Sequence, residues 1–237
     1  MTDSSRMAAA LTEAARTIHG PRSLTETLDT IVQTAVMALP AFDHAGVSIT
    51  HRDGQIETVA GTDPLVWELD SLQYELDEGP CLDSLRTDPV VLVENAAQEH
   101  RWANYIPKAL SSGLRAQLGL RLYIQDETLG GLNLYSTRAD QVDPESRELA
   151  ELFATHAAIA LGRARHEDRL NQAIASRKVI GQAVGIIMER YQLPEDRAFQ
   201  YLIRTSQSKN VKLRAVAQEI ADEARSKYAR RADPADA

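Results

Sequence analysis

The sequence predicts an α+β domain, one antiparallel sheet with helices packed on it, joined by a long helix to an all-α three-helix bundle. Three observations carry this. Two regions, near 45–61 and 115–137, each hold two short alternating runs separated by a turn signal. Segments before and between them carry apolar residues every three or four positions. Beyond Asp143 strand patterning disappears and only helical periodicity remains.

Taken in order, residues 5–19 and 23–39 read as helices. In the second, Leu24, Leu28, Ile31, Val32, Ala35 and Leu39 share a face, Ser23 and Glu26 form a capping box, and Pro40 stops the run. AGVSITHRDGQIETVAG then gives strand, turn and strand, with Asp53-Gly54 at the turn. Residues 63–75 start on Asp-Pro and continue with helical spacing. PVVLVEN reads as a buried strand and 102–112 as a helix ending near Gly113. RAQLGLRLYIQ and TLGGLNLYST, separated by Asp126-Glu127, make a second hairpin.

The long helix opens on Asp143 as N-cap with Pro144 at the first position, and nothing obliges it to stop before Gln192. Gly162, Gly181 and Gly185 weaken it. A seam of Leu149, Phe153, His156, Ala160, Arg163, Glu167, Leu170, Ile174 and Arg177 runs along it, apolar at both ends and polar in the middle. Such a seam predicts a homodimer through the long helix and the helices of the first domain. After Leu193-Pro194, two shorter helices, Glu195 to Gln207 and Asn210 to about Ser226, complete the bundle, with Ala183 and Gly185 small where helices cross. The expected division is 1–165, 166–230 and a disordered tail, 231–237.

Composition sets outer limits. No run of about eighteen apolar residues occurs and the N-terminus lacks a secretory pattern, so no membrane partner and a cytoplasmic location are expected. The net charge of −8 hides an asymmetry: residues 1–166 carry 13 basic and 24 acidic side chains, whereas 167–230 carry 12 and 8. The C-terminal segment is the one that can approach phosphate. Cys81, the only cysteine, can close no internal disulfide and build no structural zinc site; carboxylates in EGPCLDSL would raise its thiol pKa if they are near in space. No metal, cofactor or catalytic residue is expected. The six histidines are scattered, and no phosphate loop or nucleophile triad appears.

The stretch LNQAIASRKVIGQAVGIIMERYQLPEDRAFQYLIRTSQSKNVKLRAVAQEI resembles the ANTAR module of bacterial transcription antitermination regulators, through Leu170, Ala173, Arg177, Ile180, Ala183, Gly185, Met188, Ala198, Phe199, Leu202, Arg204, Ser206, Asn210, Lys212, Leu213, Val216 and Ala217. Val184 stands where that family often has lysine. The element order before it, the segment LQYELDEGPCLDSLRTD and the second hairpin feeding a helix resemble the GAF sensor domain. The resemblance implies a GAF-like domain followed by an ANTAR bundle that binds paired hairpin loops in messenger RNA leaders. It also implies a core built on Ala183, Gly185, Met188, Ala198 and Leu202.

RNA loops expose bases between phosphates, so a reader needs cations together with polar or planar groups. RTSQSKNVKLR supplies Arg204, Ser206, Gln207, Lys209, Asn210, Lys212 and Arg214, while Arg177 and Lys178 lie on the long helix and Tyr201 faces outward to stack. Phe199 reads as core. In the first domain, Trp67, Tyr74, Cys81 and Tyr123 are candidates to line a ligand site, but the ligand, a redox role for Cys81 and an upstream signalling protein all stay open. A DNA-binding regulator is the main rival. It is poorly served by a third helix whose exposed side carries Asp222 and Glu223.

Overall fold

A computed structural model describes residues 12–20, 23–51, 53–138 and 142–232, the last five by backbone alone. Two compact units divide between His166 and Glu167.

The first unit is built on a five-stranded sheet of order β2-β1-β5-β4-β3, formed by β1 (His44–Thr50), β2 (Ile56–Gly61), β3 (Val90–Val93), β4 (Ala116–Ile124) and β5 (Glu127–Ser136), with every neighbouring pair antiparallel. The order follows from two hairpins lying side by side, with β5 against β1. The first hairpin closes with His51 N–H on the Gln55 carbonyl at 2.8 Å and Gly54 at φ +86°, a glycine-dependent turn longer than the two residues expected. The second turns on Gln125-Asp126, one residue earlier than expected, with Gln125 left-handed at φ +53°.

Helix α1, helical over 12–18, and α2 (Leu24–Ala38) lie on one face with the start of α6 (Pro144–Tyr191). Residues 5–11 of the first expected helix lie outside the described residues. The Ser23–Glu26 capping box forms in full. The other face carries α3 (Pro64–Leu76), capped by Asp63, then α4 (Pro80–Arg86) and α5 (Tyr105–Ser111). Helix α4 is an addition to the expected order: Pro80 opens it and Thr87 ends it within two turns, too short for a helical repeat to register.

Strand alternation separates two environments. Ala45, Val47, Leu118, Leu120, Leu132 and Leu134 face the first core with α2 and α6. Their neighbours in sequence, Gly46, Ser48, Gln117, Gly119, Gly131 and Asn133, face the opposite way. The glycines let helices seat on that face: a Cβ on Gly119 would lie 2.6 Å from the Pro80 carbonyl oxygen, and one on Gly46 2.4 Å from Val66.

In the second unit, the end of α6, α7 (Glu195–Lys209) and α8 (Leu213–Ala232) enclose a small core of Val179, Ala183, Val184, Ile187, Ala198, Leu202, Val216, Ala217 and Ala221. Helix α8 runs through residues 231 and 232, where the tail was expected to begin; 233–237 lie outside the described residues.

The seam expected on α6 divides differently. Leu149, Phe153 and Ala160 are buried in the core of the first unit, because α6 turns that side to its own sheet. Exposed aliphatic residues of the helix include Leu152, Ile159, Leu170 and Ile174.

Candidate functional site

Between the glycine-bearing face of the sheet and helices α3 and α4 lies a cluster of buried polar side chains centred on Asp70. Its carboxylate accepts from Thr58 Oγ1 at 2.6 Å, Asn133 Nδ2 at 3.0 Å, Gln73 Nε2 at 3.3 Å and the Tyr135 hydroxyl. Asp70, Gln73, Ser48, Cys81, Gln117, Asn133, Tyr105 and Tyr135 are all buried. Gln73 Oε1 accepts from the Cys81 backbone N–H at 2.8 Å, tying the start of α4 to α3. Tyr105 donates to Gln117 Oε1 at 2.6 Å, and Tyr74 hydrogen-bonds Thr58 at 2.9 Å. Asn133 Oδ1 is buried without a hydrogen-bond partner.

Burial pushes the Asp70 carboxyl up to about 6, although the bonds from Thr58, Tyr135 and Asn133 pull the other way. Cys81 Sγ lies 3.1 Å from Asn133 Nδ2 and 3.6 Å from Ser48 Oγ. Burial first, and the Asp70 charge second, push its thiol up to about 12. The carboxylates beside Cys81 in sequence are occupied elsewhere. Glu78 accepts from the backbone N–H groups of Asn104 and Tyr105 at the start of α5, and Asp83 accepts from Trp102 Nε1.

Of the four residues expected here from sequence, the structure brings Tyr74 and Cys81 together in the Asp70 cluster. Trp67 packs over Gly61 with 42% of its surface exposed, and Tyr123 is 52% exposed near the end of β4. The remaining residues of the cluster were missed. For those on the strands the signal was polar residues at alternate positions of strands whose other positions are apolar: Gln117, Asn133 and Tyr135.

In the second unit, Asn210 takes the left-handed position that ends α7, at φ +50°. Ser206 Oγ donates to the Val211 carbonyl at 2.6 Å, while Val211 N–H returns to the Ser206 carbonyl. These two residues shape the α7–α8 turn, so Asn210 ends one helix rather than beginning the next. The turn leaves Arg204, Gln207, Lys212 and Arg214 exposed, and none of the three cations has an ion-pair partner among the described residues. Lys209 is engaged by Glu219 at 2.9 Å. The first turn of α8 has no acidic side chain, so the partial positive charge of that helix start adds to Lys212 and Arg214.

Arg177 and Lys178 are both exposed on α6. Tyr201 is 40% exposed and lies against Tyr191, ring centroids 5.3 Å apart. Ala183, Ala198 and Leu202 are buried in the bundle, with Met188 packed at its edge. Two core assignments change. Gly185 is exposed, with nothing within 4 Å of a Cβ placed on it, so no helix crosses there. Phe199 is 38% exposed, because α7 turns only Ala198 and Leu202 fully inward. Val184 is buried among the core side chains, so valine at the family's lysine position serves packing.

The family profile described as a GAF domain matches residues 21–162, and that described as an ANTAR domain matches residues 168–220. The GAF domain of a Coxiella burnetii phosphoenolpyruvate-protein phosphotransferase is similar at 19% identity and a TM-score of 0.56, covering 71% of this chain and 99% of that one. The free methionine-R-sulfoxide reductase of Neisseria meningitidis, solved with its substrate, is similar at 14% identity and a TM-score of 0.55, covering 70% and 95%. The GAF domain of an Acinetobacter phosphoenolpyruvate-protein phosphotransferase gives 17% and 0.54, covering 70% and 97%. At these identities the likeness speaks for the fold alone. No curated protein matches. Among the described residues no helix is long and apolar enough to cross a membrane.

Proposed function

The chain belongs to the GAF and ANTAR families, and from that premise we propose that it is a signal-responsive transcription antitermination regulator whose ANTAR unit binds paired hairpin loops in messenger RNA leaders. GAF domains are sensor modules and ANTAR domains RNA-binding antitermination modules; both are regulatory rather than catalytic. The observation that carries the RNA reading is the α7–α8 turn. A left-handed Asn210 and the Ser206–Val211 bonds hold Arg204, Lys212 and Arg214 outward, unpaired, around a helix start with no competing carboxylate. Phosphate contacts of this kind supply affinity, and base contacts are assigned to the exposed Gln207 and Tyr201.

The sensing role is assigned to the Asp70 cluster, where a set of buried polar side chains this large costs stability unless it serves recognition. Dimerisation is assigned to the exposed apolar residues of α6. The helix belongs to both units, which makes it the element through which a change in one can reach the other.

Binding of the full chain to an RNA with two adjacent hairpins, beside one-hairpin RNA and duplex DNA, tests the reading. Preference for the paired hairpins, with a shallower salt dependence in a variant carrying Arg204→Ala and Lys212→Ala, is the expected result. Tighter binding to duplex DNA would contradict it.

A further inference from the structure

A groove of roughly 480 Å³ runs along the crease between α6 and α7, bounded by Arg177, Gly181, Gly185 and Met188 on one helix and Glu195 and Phe199 on the other. We propose that it is a nucleobase site, holding one base unstacked from the RNA loop; the proposal rests on the RNA-binding reading above and names where a base, rather than a phosphate, is read.

The lining is suited to that occupant. Gly181 and Gly185, four residues apart on one side of α6, leave helix backbone bare, with nothing within 4 Å of either Cβ position. A flat ring can lie closer there than any side chain would allow. Phe199, 38% exposed, supplies an aromatic side chain at the opposite wall, and Met188 a soft apolar contact. The two charged groups, Arg177 and Glu195, have no ion-pair partner among the described residues. A protein helix laid in the groove would have to cover both charges, at a desolvation cost. A nucleotide supplies what each lacks: phosphate for the guanidinium, and base N–H donors for the carboxylate. Guanine, with adjacent N–H donors on one edge, matches the two oxygens of Glu195 best.

Two glycines in mid-helix weaken α6 relative to alanine. Neither is required by packing within the bundle, so filling them with larger side chains blocks the groove without harming the fold.

The experiment uses the full chain, titrated with paired-hairpin RNA and with the same RNA carrying abasic sites in its loops, for wild type, Gly185→Leu and Glu195→Gln. Wild type is expected to lose about tenfold in affinity when the bound base is removed. Gly185→Leu should bind intact RNA about tenfold more weakly and no longer distinguish the two RNAs, with a thermal midpoint unchanged or raised. Glu195→Gln should weaken intact RNA several-fold, most for loops with guanine.

Retained affinity and retained discrimination in Gly185→Leu would overturn the base site while leaving the RNA reading intact. A fall in oligomeric mass without loss of RNA binding would overturn it in favour of a second copy in the groove. Failure of wild type to prefer any hairpin RNA would instead remove the RNA reading, and this site with it.

Discussion

Asp70 concentrates the physical chemistry of the first unit. Its folded-state carboxyl titrates near 6, against about 3.9 in an unfolded chain. Between those values the folded chain holds the proton more tightly, so this group contributes stability that is complete below about pH 4 and lost as pH rises through about 6. The unfolding free energy of wild type relative to Asp70→Asn should therefore fall by roughly 2 kcal/mol between pH 4 and pH 7.5. Denaturant titrations at the two pH values measure it, and an unchanged difference would contradict the buried carboxylate. Little of this was legible in sequence. An aspartate inside a helical run reads as a solvated face, and only the fold shows that Thr58, Asn133 and Tyr135 converge on it. Cys81 was visible as a lone thiol, but its surroundings were not. Its neighbours in sequence turn away, and Asp70, eleven positions earlier, takes their place.

Among the elements, both hairpins were readable because alternation and turn residues are local signals. Their exact turns were not, since Gln125 at φ +53° has no distinctive residue type to announce it. Helix α4 escaped because seven residues are too few for a helical repeat. It can sit on the sheet because Gly119 has no side chain, so Gly119→Ala should destabilise the first unit by roughly 1–3 kcal/mol, the usual cost of overpacking against backbone. Gly181→Ala, which meets open space on an otherwise regular helix, should leave stability equal or raise it by up to about 1 kcal/mol. Thermal or denaturant unfolding of the two variants separates them, and equal effects would contradict the different roles given to the two glycines. Gly162 reads in sequence only as a helix weakener. In the structure a Cβ there would come within 2.2 Å of Ile124 Cδ1, so the glycine serves close packing of α6 on the sheet.

For the whole molecule, the jump from strand patterning to pure helix and the reversal of charge balance both marked a second module. The seam of α6 was harder, because one periodic pattern serves two faces. Leu149, Phe153 and Ala160 cover the sheet, while Leu152 and Ile159 stay exposed, and it is there that we place the proposed contact with a second copy. Leu152→Glu with Ile159→Glu should reduce the mass seen by analytical ultracentrifugation to that of a monomer without lowering the thermal midpoint. A dimer that persists would place the interface elsewhere.

The claim that this regulator acts on RNA through its C-terminal unit is tested most directly by titrating the full chain with paired-hairpin RNA and matched duplex DNA at two salt concentrations. The account predicts tighter binding to the RNA at both, weakening as salt rises, with the dependence reduced in the Arg204→Ala, Lys212→Ala variant. Equal or tighter binding to the DNA, or an RNA affinity indifferent to those two cations, would contradict it.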